Sequence, residues 1–169
     1  MAVEIIVAML VTFELEEYVA CVMGAEMHPD YPEHDYWPVE ALNTQAVLAR
    51  SYALWRVEHP RTARFAIYGF DYDQGCDCGK MHPKADAAVK ATEGLIVTTG
   101  AADFVPQYVN RCGLDFCPVC KGGDGHDDKH WAGRACQYGM KHLADAGLDY
   151  LGILQFYYGC DAVVRRYDK

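Results

Sequence analysis

The sequence is poor in positive charge: Lys and Arg total 15 against 24 Asp and Glu, a formal net charge of −9 over 169 residues. A surface of that sign repels phosphate backbones and gains nothing from anionic lipid, so nucleic acid is not an expected partner. A long apolar run is also missing. The stretch 5–13, IIVAMLVTF, is too short for a bilayer span, follows Glu4, and lacks a basic leader region and a small-residue cleavage site. It reads as a buried strand over 3–13, and the chain shows neither a membrane-spanning segment nor a signal peptide. There is no internal repeat and no sign of a second domain. Hydrophobic residues make up 51% of the chain, which excludes disorder and suits one domain over 1–169 with a proper core.

What is present reads as an α+β fold. Apolar spacing over Leu15, Tyr18, Val19, Val22 and Met23 predicts a helix over 14–26. Pro38 opens a second helix over 39–58. A short strand is expected at 65–70, and a helix at 84–92 closed by Gly94. Residues 95–99 and 104–110 read as a hairpin across Gly100. Helices follow at 135–146 and 148–158, stopped by Gly147 and Gly159, and 160–167 reads as a closing strand. The expectation is a mixed sheet with several helices and two long loops, 71–83 and 112–131, rich in Cys, Gly and Asp. A loop as long as the second is functional or pinned by something.

Eight cysteines are many for this length. Cys21 lies inside the first helix and reads as a buried thiol. Cys76 and Cys78 stand in one loop, and Cys117 and Cys120 form a CxxC followed by glycines in the other. Together Cys76, Cys78, Cys117 and Cys120 could supply four sulfurs to a tetrahedral structural zinc, with Cys112, His82 and His126 as substitutes. Disulfides are the competing reading. Cys136, at the start of a helix, is the one cysteine placed where a helix dipole acts on a thiol.

Glu26 is the candidate acid. It continues the apolar face of the first helix and sits at its C-terminus, ahead of Pro29 and Pro32. Partial burial and the negative end of the dipole both favour a protonated carboxyl, as a general acid requires. The second helix is apolar nearly all round yet carries Gln45, Arg50, Ser51 and Tyr52. A buried Arg demands an anionic partner or a substrate.

In the order LEEYV, AEM, then EAL-TQAV-ARSYA, the chain resembles the SpoIID/LytB family of cell-wall proteins. Gln74, AAVKATEGLIV, Tyr108, CQYGM and ILQFYYG match later blocks, so the resemblance runs from about Phe13 to about Gly159. It implies a lytic transglycosylase acting outside the cytoplasmic membrane on peptidoglycan glycan strands. Glu26 would be the catalytic acid and base, with Gln45, Arg50, Tyr108 and Gln137 binding substrate. Arg50 would orient a substrate carboxylate or Glu26 itself, or else tie its helix to a neighbouring acid or carbonyl. Export would let oxidation compete with zinc for the cysteines. Two blocks depart from the family pattern: Asn110-Arg111-Cys112-Gly113 after Tyr108, and His130 to Arg134 before Gln137. The resemblance therefore also admits a non-catalytic wall-binding module that enhances a partner amidase. A zinc-stabilised structural domain in a larger assembly is a third reading.

Overall fold

The computed structural model describes residues 13–26, 37–60, 74–79, 82–109, 117 and 134–168. The strands expected at 3–13 and 65–70 fall almost wholly outside these residues, as do Pro29 and Pro32 and all of 112–131 except Cys117. Five helices and four short strands are described: α1 (Leu15–Glu26), α2 (Val39–Glu58), α3 (Pro83–Ala91), β1 (Leu95–Thr98), β2 (Tyr108–Val109), β3 (Ala135–Cys136), α4 (Gln137–Asp145), α5 (Tyr150–Tyr158) and β4 (Val163–Arg166). The α+β class holds.

The fold is built round α2. Its entry residue Pro38 has extended backbone, φ −60° and ψ 149°, and offers no side-chain cap. The helix relies on packing rather than on its ends. Residues Ala41 to Leu54 are all buried, and α1, α3, α4, α5 and β1 pack around it. A helix clothed on every side must be apolar all round, which is why α2 shows no polar face. Leu48 of α2, Met23 of α1, Met140 of α4 and Ile153 and Leu154 of α5 are fully buried in one continuous core. Each such side chain contributes about 1.5–3 kcal/mol by leaving water.

The remaining helices carry local signals that the sequence shows. Glu16 and Glu17 occupy the first turn of α1, where the dipole favours acids. Pro83 starts α3, and Asp149 caps α5 by accepting from the Gly152 N–H at 2.7 Å. Gly159 ends α5 with φ 94°, a backbone that other residues resist.

The strands differ from the expected hairpin. β1 pairs antiparallel with β4, Leu95 opposite Arg166 and Thr98 opposite Val163. β2 instead pairs parallel with β3, Tyr108 opposite Ala135 and Val109 opposite Cys136. The link 99–107 is too long for a tight turn, and Phe104 packs edge-on against Tyr158 of α5, so the link runs along α5 instead of doubling back on β1. Tyr158 also donates to the Gln107 carbonyl at 2.5 Å, anchoring the approach to β2; burial raises its phenol pKa. The helix expected from 135 starts two residues later because Ala135 and Cys136 are used as β3. Among the described residues no helix is long and apolar enough to cross a membrane.

Candidate active site at the end of α1

Because β3 runs straight into α4, the β2–β3 pairing delivers Tyr108 and Gln137 to the same place. That place is the C-terminus of α1. Glu26 is half-buried there, and both carboxyl oxygens are held: Oε1 accepts from the Gly75 N–H at 3.0 Å and Oε2 from Gln137 Nε2 at 3.1 Å. These two bonds fix the orientation of the group. Gln137 Nε2 lies 3.4 Å from Gln45 Oε1, which links the site to the centre of α2. Gln45 is fully buried, and its Nε2 has no hydrogen-bond partner among the described residues. A buried amide in that state is costly, and an incoming acceptor would relieve it.

The segment 74–79 lies along the last turns of α1. The Asp77 N–H donates to the Cys21 carbonyl at 3.0 Å, and Cys78 is disulfide-bonded to Cys21. Close approach requires Gly75: a Cβ there would lie 3.1 Å from Ala25 Cβ and 3.4 Å from Glu26 Oε1. Just before it, Gln74 is buried, accepts from the Tyr18 hydroxyl at 2.9 Å, and donates to the Ala49 carbonyl at 3.2 Å and the Tyr108 hydroxyl at 3.1 Å. Burial, and then the Glu26 charge, raise the Tyr108 pKa well above that of an ordinary phenol, so this hydroxyl stays protonated.

Of the residues the sequence singles out, Glu26, Gln45, Gln137 and Tyr108 therefore come together. Arg50 does not join them. Its guanidinium is fully buried ten residues back along α1, about 15 Å at 1.5 Å per residue. There it donates to Glu16 at 2.8 Å and 2.6 Å and to the Leu95 carbonyl at 2.9 Å. The anion it needs is supplied by the protein, so it ties α1 and β1 to α2 and leaves no donor pointing at Glu26. Of the expected four sulfurs, Cys76, Cys78 and Cys117 are described, and Cys117 does not join the other two. Cys117 is buried against the Tyr157 hydroxyl at 3.8 Å, on the α4–α5 side, and Cys120 lies outside the described residues. Instead Cys21 joins Cys76 and Cys78, all three sulfurs lying within 4.8 Å of one another, a group that could hold a metal ion. Two of its sulfurs are bonded to each other, so they could become ligands only after reduction. Cys136 is the buried N-cap of α4, its sulfur accepting from the Gly139 N–H at 3.3 Å.

Gln74 and Gly75 were missed as site residues. The available signal was a polar residue before a glycine in the cysteine-dense loop, with Gln74 matching a family block. Two cavities, of about 330 Å³ beside Glu16 and Arg166 and about 410 Å³ beside Gln107 and Tyr158, have linings that do not include Glu26.

These features define an α+β protein that presents one oriented carboxyl to a set of amides and a phenol. The chain belongs to the stage II sporulation protein (SpoIID) family, whose sequence model matches residues 7–99. No curated protein matches the chain. The match spans Glu26, Gln45, Gln74, Gly75, Cys76 and Cys78 and stops short of Tyr108 and Gln137, which the fold adds. Membership relates the chain to sporulation and the cell wall.

Proposed function

We propose that the protein is a lytic transglycosylase that cleaves peptidoglycan glycan strands between N-acetylmuramic acid and N-acetylglucosamine. The observation that carries this reading is the Glu26 carboxyl, half-buried and held through both oxygens by Gly75 and Gln137. In the reaction Glu26 donates its proton to the glycosidic oxygen, and positive charge develops at C1 as the bond breaks. The resulting carboxylate takes the proton of the C6 hydroxyl of the same muramic ring. That oxygen closes on C1 to give the 1,6-anhydro end. Protons balance within one residue and no water is consumed, so one oriented carboxyl suffices. Gln45, Gln137 and Tyr108 supply donors and acceptors for sugar hydroxyls and acetamides. The whole chain, 1–169, acts as one unit outside the cytoplasmic membrane, on glycan and alongside a wall amidase.

A structural zinc fits the sulfurs of Cys21, Cys76 and Cys78 only in reduced protein, where it would pin the 74–79 loop in place of the disulfide. Metal analysis of protein purified under reducing and oxidising conditions, with thiol counts, decides between the two.

The test of the reaction is digestion of purified cell-wall sacculi by wild type and Glu26→Gln. Wild type is expected to release anhydromuramic products detectable by mass spectrometry, and the variant at most about one part in a hundred of them. Equal release by both proteins removes Glu26 as the acid. Retained wall binding with no release by either leaves the amidase-enhancing module as the reading.

A further inference from the structure

Gln74 lies outside the cleavage chemistry just described, yet its hydrogen bonds determine how that chemistry can use Tyr108. The amide has two hydrogens on nitrogen and none on oxygen. The Ala49 carbonyl, 3.2 Å from Nε2, can only accept, so the nitrogen must be the atom beside it. Oε1 then faces Tyr18, whose hydroxyl donates to it at 2.9 Å. One amide hydrogen goes to Ala49. The other goes to the Tyr108 oxygen at 3.1 Å. If Tyr108 turned its own hydrogen toward Gln74, it would meet an N–H. The hydrogen must therefore point elsewhere, and it meets no acceptor among the described residues. The next residue, Gly75, donates its N–H to Glu26 Oε1 at 3.0 Å, so adjacent residues of one segment hold the phenol and the carboxyl in one region.

We infer that Gln74 is a positioning residue which, through this one-way chain of donors, makes Tyr108 an obligatory hydrogen-bond donor to the sugar bound at Glu26. The inference rests on the glycan reading of the site. Tyr108 touches substrate; Gln74 acts only through it. The arrangement is fully buried at Gln74, so water does not scramble it, and the phenol gives its hydrogen to the ligand without first breaking a bond to the protein. A sugar oxygen that carries no hydrogen, such as an acetamide carbonyl or a glycosidic or lactyl ether oxygen, is the partner such a donor selects.

Gln74→Glu reverses the chain while keeping the shape. The new carboxylate has no hydrogen to give when ionised, so Tyr108 must donate to it and is lost to the ligand. With glycan strands stripped of stem peptides as substrate, kcat/KM is expected to fall about tenfold, the effect of one hydrogen bond. Tyr108→Phe is expected to cost the same. The combined variant should be no worse than either single one, because both remove one donor. Independent losses that multiply in the double variant would mark Gln74 as a general structural residue and overturn the inference. A second readout needs no activity. The carbon-13 resonance of the Tyr108 ring carbon bearing oxygen, identified by its loss in Tyr108→Phe, should move in Gln74→Glu as the phenol changes from acceptor to donor. An unmoved resonance also overturns the inference. If Gln74→Glu does not fold, Gln74→Met removes the donor without capturing the phenol hydrogen: the Tyr108 resonance should still move, while kcat/KM should fall less than in Tyr108→Phe, and an unmoved resonance overturns the inference. Should wild type leave glycan uncut, the glycan reading fails, and the inference that Tyr108 donates to a sugar fails with it. The resonance still reports separately whether Gln74 sets the direction of the Tyr108 hydrogen.

Discussion

Replacing Arg50 with Ala is expected to cost stability and to leave cleavage per folded molecule unchanged. The guanidinium is 0% exposed and donates twice to Glu16, at 2.8 Å and 2.6 Å, and once to the Leu95 carbonyl at 2.9 Å. Its longer contacts, to the Ala46 and Val89 carbonyls, are each 3.4 Å. Truncation removes a charge-assisted bidentate pair and a donor to the first residue of β1, and it empties the volume of the side chain. Recovering the desolvation of the ion pair offsets part of this. Loss of one partner of a buried pair costs about 3–5 kcal/mol, and because the Glu16 left behind is 32% exposed the low end applies. At about 2–4 °C per kcal/mol for a chain of this size, Tm should fall by about 10 °C. Glu16→Gln separates charge from shape. It keeps an acceptor for the Gly94 N–H, now 3.1 Å from Glu16, but leaves the Arg50 cation among neutral carbonyls, and it should cost about as much. Thermal unfolding together with glycan cleavage normalised to folded protein measures both quantities. An Arg50→Ala protein that melts within about 2 °C of wild type while KM rises would refute the reasoning and return Arg50 to the substrate site.

The Cys21–Cys78 bond closes a loop with a sequence separation of 57 and should stabilise the fold by about 2–4 kcal/mol. Cys78→Ser, or reductant, should lower Tm and weaken cleavage together, because the loop it anchors carries the Gly75 donor; unchanged melting in reductant would sink this. Burial, and secondarily the Asp77 charge, push the Cys76 thiol from 9.0 to about 11. Its alkylation rate should therefore rise about tenfold per pH unit through pH 9 without levelling, and a plateau near pH 9 would contradict the placement. The same raised value means that stability present below about pH 9 is lost as pH climbs toward 11. Gly75→Ala should lower cleavage about tenfold with little change in Tm, since the loop must back away from Glu26 to seat a methyl group 3.1 Å from Ala25 Cβ. Full activity in that variant would show that the Gly75 donor is dispensable.

Helix α1 was readable because Leu15, Tyr18, Val19, Val22 and Met23 repeat at helical spacing, and α2 because an Ala-rich apolar run followed Pro38. Both periodicities are local, so no partner was needed to see them. The same local logic placed Glu26 at a helix end and on the buried side. It put β2 inside the expected strand 104–110 but gave it the wrong partner, and it missed β3, a two-residue strand whose identity depends on pairing across a gap that includes 110–133. It failed for Cys76 and Cys78 in the opposite way: the short spacing was visible, but their third sulfur comes from Cys21, which helical position alone marks as core.

Arg50 shows where the division falls. That a buried cation on an apolar helix must have an anionic partner follows from the sequence and the energetics of charge burial. Which anion it finds does not, since Glu16 and Glu26 lie on one helix, and only the packing of α1 on α2 selects Glu16. The amino-acid order by itself determined the helices, the acid at the end of α1 and the family. The fold decided which residues surround that acid, because the Gly75, Gln137 and Tyr108 groups are brought to it from separate segments by the Cys21–Cys78 bond and the β2–β3 pairing, contacts that no stretch of sequence contains.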